Sequence, residues 1–136
     1  MTVCVDASLV LKWLTYESDS DKAVAWLDAH ADDEMIAPAF LPLEVASALR
    51  RKTRRDDITP DEGLEALQLL DRLRIRLTWN WALLERAFIL AVELDQPTAY
   101  DTAYLALAER ERCELWTADG CFARAASPRY PFVRLL

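Results

Sequence analysis

Five short apolar runs, separated by stretches with helical spacing, restrict this chain to a parallel sheet with helices on both faces. The runs are residues 2–5 (TVCV), 34–37 (EMIA), 75–78 (IRLT), 114–117 (ELWT) and the terminal FVRLL. Each is too short for a helix, and the segments between them repeat apolar residues at three- and four-residue intervals. Ser8 reads as the cap of a helix beginning LVLKWL. Ser18 with Asp21 resembles a capping box, and Ala23, Trp26 and Leu27 form one face of the helix that follows. Leu41, Val45, Ala48 and Leu49 predict a third helix, with Pro42 tolerated in its first turn. Thr59, Pro60 and Glu62 combine a cap, a proline at the first helical position and an acid at the third. Leu64, Leu67, Leu70 and Leu73 then mark an apolar face. Leu83, Leu84, Ala87, Phe88, Ala91 and Val92 predict a fifth helix closed by Pro97, a sixth spans about 98–112, and a short one follows the turn at Asp119 and Gly120.

The chain has 136 residues, of which 53% are hydrophobic and 29% charged, enough apolar content for one continuous core spanning 1–136 as a single domain. A helical pair in the middle is free to stand off as an appendage, yet no linker marks it off. The apolar start is interrupted by Asp6 and Lys12, which does not suit a signal peptide, and no apolar stretch reaches the roughly 20 residues of a membrane span. The cytoplasm is the expected location. Cys4, Cys113 and Cys121 show no CxxC or ligand-like spacing, so a disulfide or zinc site is not expected. The single histidine, His30, suits a helix C-terminus, where it complements the dipole.

Four carboxylates carry the chemistry. Taken singly, each has an ordinary explanation: Asp6 ends a strand in an Asx turn, Glu44 complements a helix dipole, Asp101 completes a capping box with Thr98, and Asp119 caps a short helix. Their placement argues for more. Ligands of parallel α/β sheets bind beyond the carboxyl ends of the strands, and Asp6 and Asp119 each follow a strand candidate. Glu44 and Asp101 each fall in the first turn of a helix, and Asp101 shares a face with Leu105 and Ala108, pointing it toward protein. Carboxylates gathered in this way repel one another unless a cation joins them. Oxygen-only ligands suit Mg²⁺ or Mn²⁺. Such a site activates water and stabilises the oxygens of an in-line phosphoryl displacement.

These positions and their surroundings resemble the PIN-domain ribonucleases, and among them the VapC toxins of type II toxin-antitoxin modules. The resemblance runs through VDASLVLKW around Asp6 and Ser8, PAFLPLEVASALRR around Glu44, QPTAYDTAYLALAE around Asp101, and ELWTADGCF around Thr117 and Asp119. Any one segment is weak, whereas four in order across nearly the whole chain are specific. The resemblance implies a three-layer PIN-like α/β fold with a central mainly parallel sheet. It also implies divalent-metal binding by Asp6, Glu44, Asp101 and Asp119, endonucleolytic cleavage of RNA, a homodimer and a small cognate antitoxin.

Ser8 and Thr117 are candidates for orienting a carboxylate or a metal-bound water, with local capping and strand-end roles as the alternative. The net charge of -7 argues against a broad nucleic-acid surface, but local charge decides where a phosphate approaches. Arg50, Arg51, Lys52, Arg54 and Arg55 put five bases in six positions just after Glu44, and Lys12 is a further candidate RNA contact. The competing classes fit less well. A haloacid-dehalogenase-like phosphatase requires a second aspartate where Ser8 stands, the P-loop pattern is absent, and a phospho-receiver domain requires an early acidic pair where only Asp6 occurs.

Overall fold

A computed structural model describes residues 1–136 as five strands and seven helices. In order these are β1 (Thr2–Val5), α1 (Ala7–Leu14), α2 (Ser20–Ala29), β2 (Glu34–Pro38), α3 (Leu41–Arg54) and α4 (Pro60–Arg72). They are followed by β3 (Arg76–Thr78), α5 (Trp81–Glu93), α6 (Tyr100–Glu111), β4 (Glu114–Thr117), α7 (Gly120–Ala126) and β5 (Val133–Leu135). All five expected strands form, and all pair in parallel in the order β3-β2-β1-β4-β5.

This order explains the layering. The chain steps from β1 to β2 to β3 in one direction, then crosses back to β4 and β5 on the other side of β1. Right-handed crossovers in the two directions place their helices on opposite faces. Accordingly α1 gathers α2, α3 and α4 around it, while α6 packs on β1, β2 and β4 with α5 beside it. The reversal occurs between β1 and β4, so the crevice at their carboxyl ends is where a ligand site is expected.

The central elements are the most apolar. Val3, Cys4 and Val5 of β1 are buried, as a strand covered on both sides must be. Thr102 to Ala108 of α6 are buried without a break, so this helix lies inside the molecule. The α3 and α4 pair is no appendage: Leu41, Val45, Leu49, Ala66 and Leu70 belong to the same core as the sheet. The edge strands have three residues each and carry Arg76 and Arg134, which suits exposed strand edges.

Local signals were realised unevenly. The Thr59 and Glu62 capping box forms in full. The cap of α1, however, is Asp6 and not Ser8, and the cap position of α2 is Asp19, left-handed at φ 64°, with no side-chain bond. Ser18 and Asp21 form no box there. Ser20, buried, instead accepts from the Glu17 amide and donates to the Thr15 carbonyl, holding the turn before α2. Nor does Asp101 box with Thr98, since α6 begins after Ala99 without a side-chain cap. On α4 the buried stripe is Gly63, Ala66 and Leu70, leaving Leu64 exposed. On α5 it is Leu83, Ala87, Leu90 and Ala91, and Phe88 and Val92 face outward.

Candidate active site

Asp6 leaves β1 at the crevice and is only 4% exposed. Its Oδ1 accepts from the Leu9 amide at 3.0 Å and from Ser8 Oγ at 2.7 Å, and its Oδ2 accepts from Thr117 Oγ1. Each hydroxyl is held in turn by a backbone donor from beyond β4: Ala118 N–H donates to Ser8 Oγ at 2.9 Å, and Asp119 N–H to Thr117 Oγ1 at 3.0 Å. A hydroxyl has one proton, and each of these is directed at Asp6. The ends of β1 and β4 are thereby tied through one carboxylate. Burial pushes its pKa up to about 6, even though the Thr117, Ser8 and Leu9 hydrogen bonds favour the charged form.

Glu44 reaches the same region from the first turn of α3. Its Oε1 takes a long hydrogen bond of 3.4 Å from the Tyr104 hydroxyl, and its Oε2 is buried with no partner. Burial first, and then the charges of Asp6 and Asp101, raise its pKa to about 7, against the opposing influence of Tyr104 and Arg51. Asp101, in the first turn of α6, makes no hydrogen bond within the protein. Its pKa is raised by burial and by the charge of Asp119. Asp119 Oδ1 caps α7, accepting from Cys121 N–H at 2.9 Å and Phe122 N–H at 3.1 Å, as its local sequence predicts. Asp6, Glu44, Asp101 and Asp119 therefore form one electrostatically coupled group drawn from four separate segments.

The donor chemistry of this group suits a hard divalent cation, because every available ligand is oxygen. The buried, unpartnered Glu44 Oε2 is the group such a cation would satisfy. As the side chains stand, no three of the acids converge into a ready-made chelate. Asp6 and Glu44, with Asp101 beside them, are the carboxylates that could hold such an ion, and Asp119 acts electrostatically on Asp101.

A cleft of about 430 Å³ opens beside Glu44 and Asp101, lined also by Ser47, Arg51, Phe40 and Tyr100. Arg51 is the basic residue that lines it, and neither Arg51 nor Arg54 is in an ion pair. The other candidate bases are engaged. Lys12 Nζ donates to the Ser18 carbonyl at 2.6 Å and lies 3.8 Å from Glu17, Lys52 pairs with Glu17 at 3.1 Å, Arg55 pairs with Asp57, and Arg50 donates to Thr53 Oγ1. Lys12 thus serves the turn before α2 and is not held out toward a substrate. Tyr104, Ser47 and Tyr100 were not singled out in the sequence. For Ser47 and Tyr104 the signal is spacing: Ser47 lies three positions beyond Glu44 on the helix face that Arg51 continues, and Tyr104 lies three beyond Asp101.

Trp13, Trp26 and His30 stack in series with Trp116 tilted against them, and His30 Nδ1 is 2.8 Å from the Trp26 carbonyl at the end of α2. The three cysteines are free.

Residues 3–128 match the PIN domain family. A VapC ribonuclease of Mycobacterium bovis and the ribonuclease VapC9 of Mycobacterium tuberculosis are each 34% identical over 117 residues, covering 86% of this chain and 85% of the relative. Among solved structures, the sarcin-ricin-loop-cleaving toxin VapC20 of M. tuberculosis superposes with a TM-score of 0.72 at 17% identity, covering 91% of this chain and 95% of the other. A VapBC2 structure from Rickettsia felis, bound to a promoter DNA fragment, gives 0.70 at 14% identity over 100% and 98% of the two chains.

Proposed function

Since the chain belongs to the PIN domain family, we propose that it is a Mg²⁺- or Mn²⁺-dependent endoribonuclease that hydrolyses RNA phosphodiester bonds at Asp6, Glu44, Asp101 and Asp119. The observation that carries this reading is the buried Asp6 carboxylate beside the half-buried Glu44, whose Oε2 is buried without a partner, at the crevice where the strand order reverses. Such a grouping is costly to folding unless a cation completes it. RNA as the substrate is supported by the activity of the 34% identical relatives named as ribonucleases.

In this reading Asp6 is the fixed point, because Ser8, Thr117 and the Leu9 amide leave its carboxylate no freedom to turn. Glu44 and Asp101 present their carboxylates to the cleft that admits the phosphate. Arg51, in the cleft wall, draws a phosphate oxygen toward them. A bound divalent cation supplies Lewis acidity, polarising the phosphate and lowering the pKa of water at neutral pH. The overall charge of -7 is no obstacle, since Arg51, which makes no ion pair, lines the cleft itself.

The biological role we infer is that of a toxin neutralised by a cognate antitoxin and acting in the cytoplasm as a homodimer. The Rickettsia complex supports an antitoxin partner. Exposed Trp81, Phe88 and Val92 on α5 make an apolar ridge that suits a second copy. No helix is long and apolar enough to cross a membrane.

The direct test uses the purified chain, freed of any partner, with a panel of structured RNAs. Cleavage should require added Mg²⁺ or Mn²⁺ and stop with EDTA. RNAs left intact under both cations would overturn the nuclease reading, and cutting that persists in EDTA would overturn the metal requirement. Thr117→Val should slow cleavage by about 10- to 100-fold by releasing Asp6 Oδ2, while Thr117→Ser restores the hydroxyl and most of the rate. Equal rates for the valine variant and the wild type would remove Thr117 from the site.

A further inference from the structure

Tyr100 lines the cleft, is 59% exposed as a residue and makes no side-chain hydrogen bond. It is held from behind by Phe40, edge to face at 5.8 Å between centroids, and Phe40 is braced by Trp79 at 5.5 Å and Tyr104 at 5.7 Å. On the other side of this aromatic wall lies a second trough of about 300 Å³, completed by Trp79, Leu84 and Ala99, whose lining residues are all apolar or aromatic. Two adjoining spaces of opposite character thus share Phe40 and Tyr100: an acidic one that also holds the unpaired Arg51, and an apolar one.

A nucleotide has the same division, with a charged phosphate at one end and a flat apolar-faced base at the other. Exposed aromatic rings beside a cationic side chain are the means by which single strands are held without base pairing. A buried or paired base could not reach the wall, so the occupant must be unstacked. Resting on the nuclease reading above, we propose that Tyr100, backed by Phe40, stacks on one unpaired RNA base next to the scissile phosphate. That base enters the apolar trough while Arg51 draws the phosphate. The hydrogen-bonding side-chain groups of the trough are the Trp79 indole N–H and the Tyr100 hydroxyl. Each can donate to the ring-nitrogen acceptors that adenine and guanine share, so the base is read by size and stacking: purines are preferred to pyrimidines, and adenine and guanine are treated alike.

The experiment is a titration of the full chain with short single-stranded RNAs containing one 2-aminopurine, at low ionic strength in EDTA, so that binding is read without cleavage. Stacking on Tyr100 should quench the fluorescence. Tyr100→Ala should abolish the quench and weaken binding about tenfold, while Tyr100→Phe retains both. Thermal melting confirms that the alanine variant folds. If Tyr100→Ala binds and quenches like the wild type, the base subsite is overturned and the trough belongs to another occupant, such as a peptide. Binding that discriminates adenine from guanine tenfold overturns reading by size alone. The nuclease reading is separated by repeating the series with Mn²⁺: a chain that quenches through Tyr100 yet cuts no RNA keeps the subsite and loses the catalytic reading.

Discussion

Asp101→Asn and Asp6→Asn should each lower RNA cleavage on the order of a thousandfold or more while leaving the chain folded. Asp101 is the cleaner case. It makes no hydrogen bond within the protein, lines the cleft, and has burial and the charge of Asp119 acting on it, so an amide of the same shape removes charge and little else. Asp6→Asn also removes an acceptor from Thr117 or Ser8, because the amide nitrogen must face one of the two hydroxyls. It should therefore melt differently from the wild type as well as losing activity. The double variant should be little worse than either single one, since residues acting through one shared ion fail together. Single-turnover cleavage of a fixed RNA, with melting as the fold control, measures both. Folded variants that cut at the wild-type rate would remove these acids from the mechanism.

The parts of this site that were legible in the sequence are those set by local geometry. A strand ending in Asp6, another ending just before Asp119, and first-turn acids at Glu44 and Asp101 suffice to bring four carboxylates to one crevice once the sheet is parallel. What escaped was decided by tertiary contact. Lys12 reads as a free cation until the Ser18 carbonyl is seen to hold it. Ser8 reads as a helix cap until the fold brings Thr117 and Ala118 across 109 and 110 positions of chain, leaving Asp6 as the cap and Ser8 as its support. Leucine periodicity on α4 pointed to Leu64, but the helix turns Gly63, beside Thr53 of α3, and Ala66 inward in its place. Phe88 and Val92 satisfy the helical pattern of α5 and still face outward, because the pattern records an apolar face without recording what covers it. Tyr100 was hidden for the opposite reason: an aromatic beside an acid has no local signature, and its exposure is visible only in the fold.

The same acids should make the metal-free chain less stable at neutral pH than at pH 5, the reverse of what paired surface carboxylates produce. The native pKa of Asp6, about 6, lies above its ordinary value of 3.8, so between these values the native state binds more protons than the unfolded state. Stability therefore falls as pH rises through this window, by on the order of 3 kcal/mol for Asp6 alone. Glu44, raised to about 7, extends the fall toward neutrality, and Asp101 acts in the same direction. Above about pH 7.5 these contributions are complete and the curve should flatten. Mn²⁺ or Mg²⁺ should then restore what ionisation removed, by about 2.7 kcal/mol at a hundredfold excess over the dissociation constant. At pH 5 the protons compete for the same oxygens, and the gain should shrink. Urea unfolding at pH 5 and 7.5, with and without Mn²⁺, tests both signs. Asp6→Asn and Glu44→Gln should flatten the pH dependence and reduce the metal effect together, because both arise from one set of charges. A wild-type chain equally stable at the two pH values, or stabilised by Mn²⁺ to the same extent in the variants, would show that these carboxylates neither strain the fold nor bind the ion.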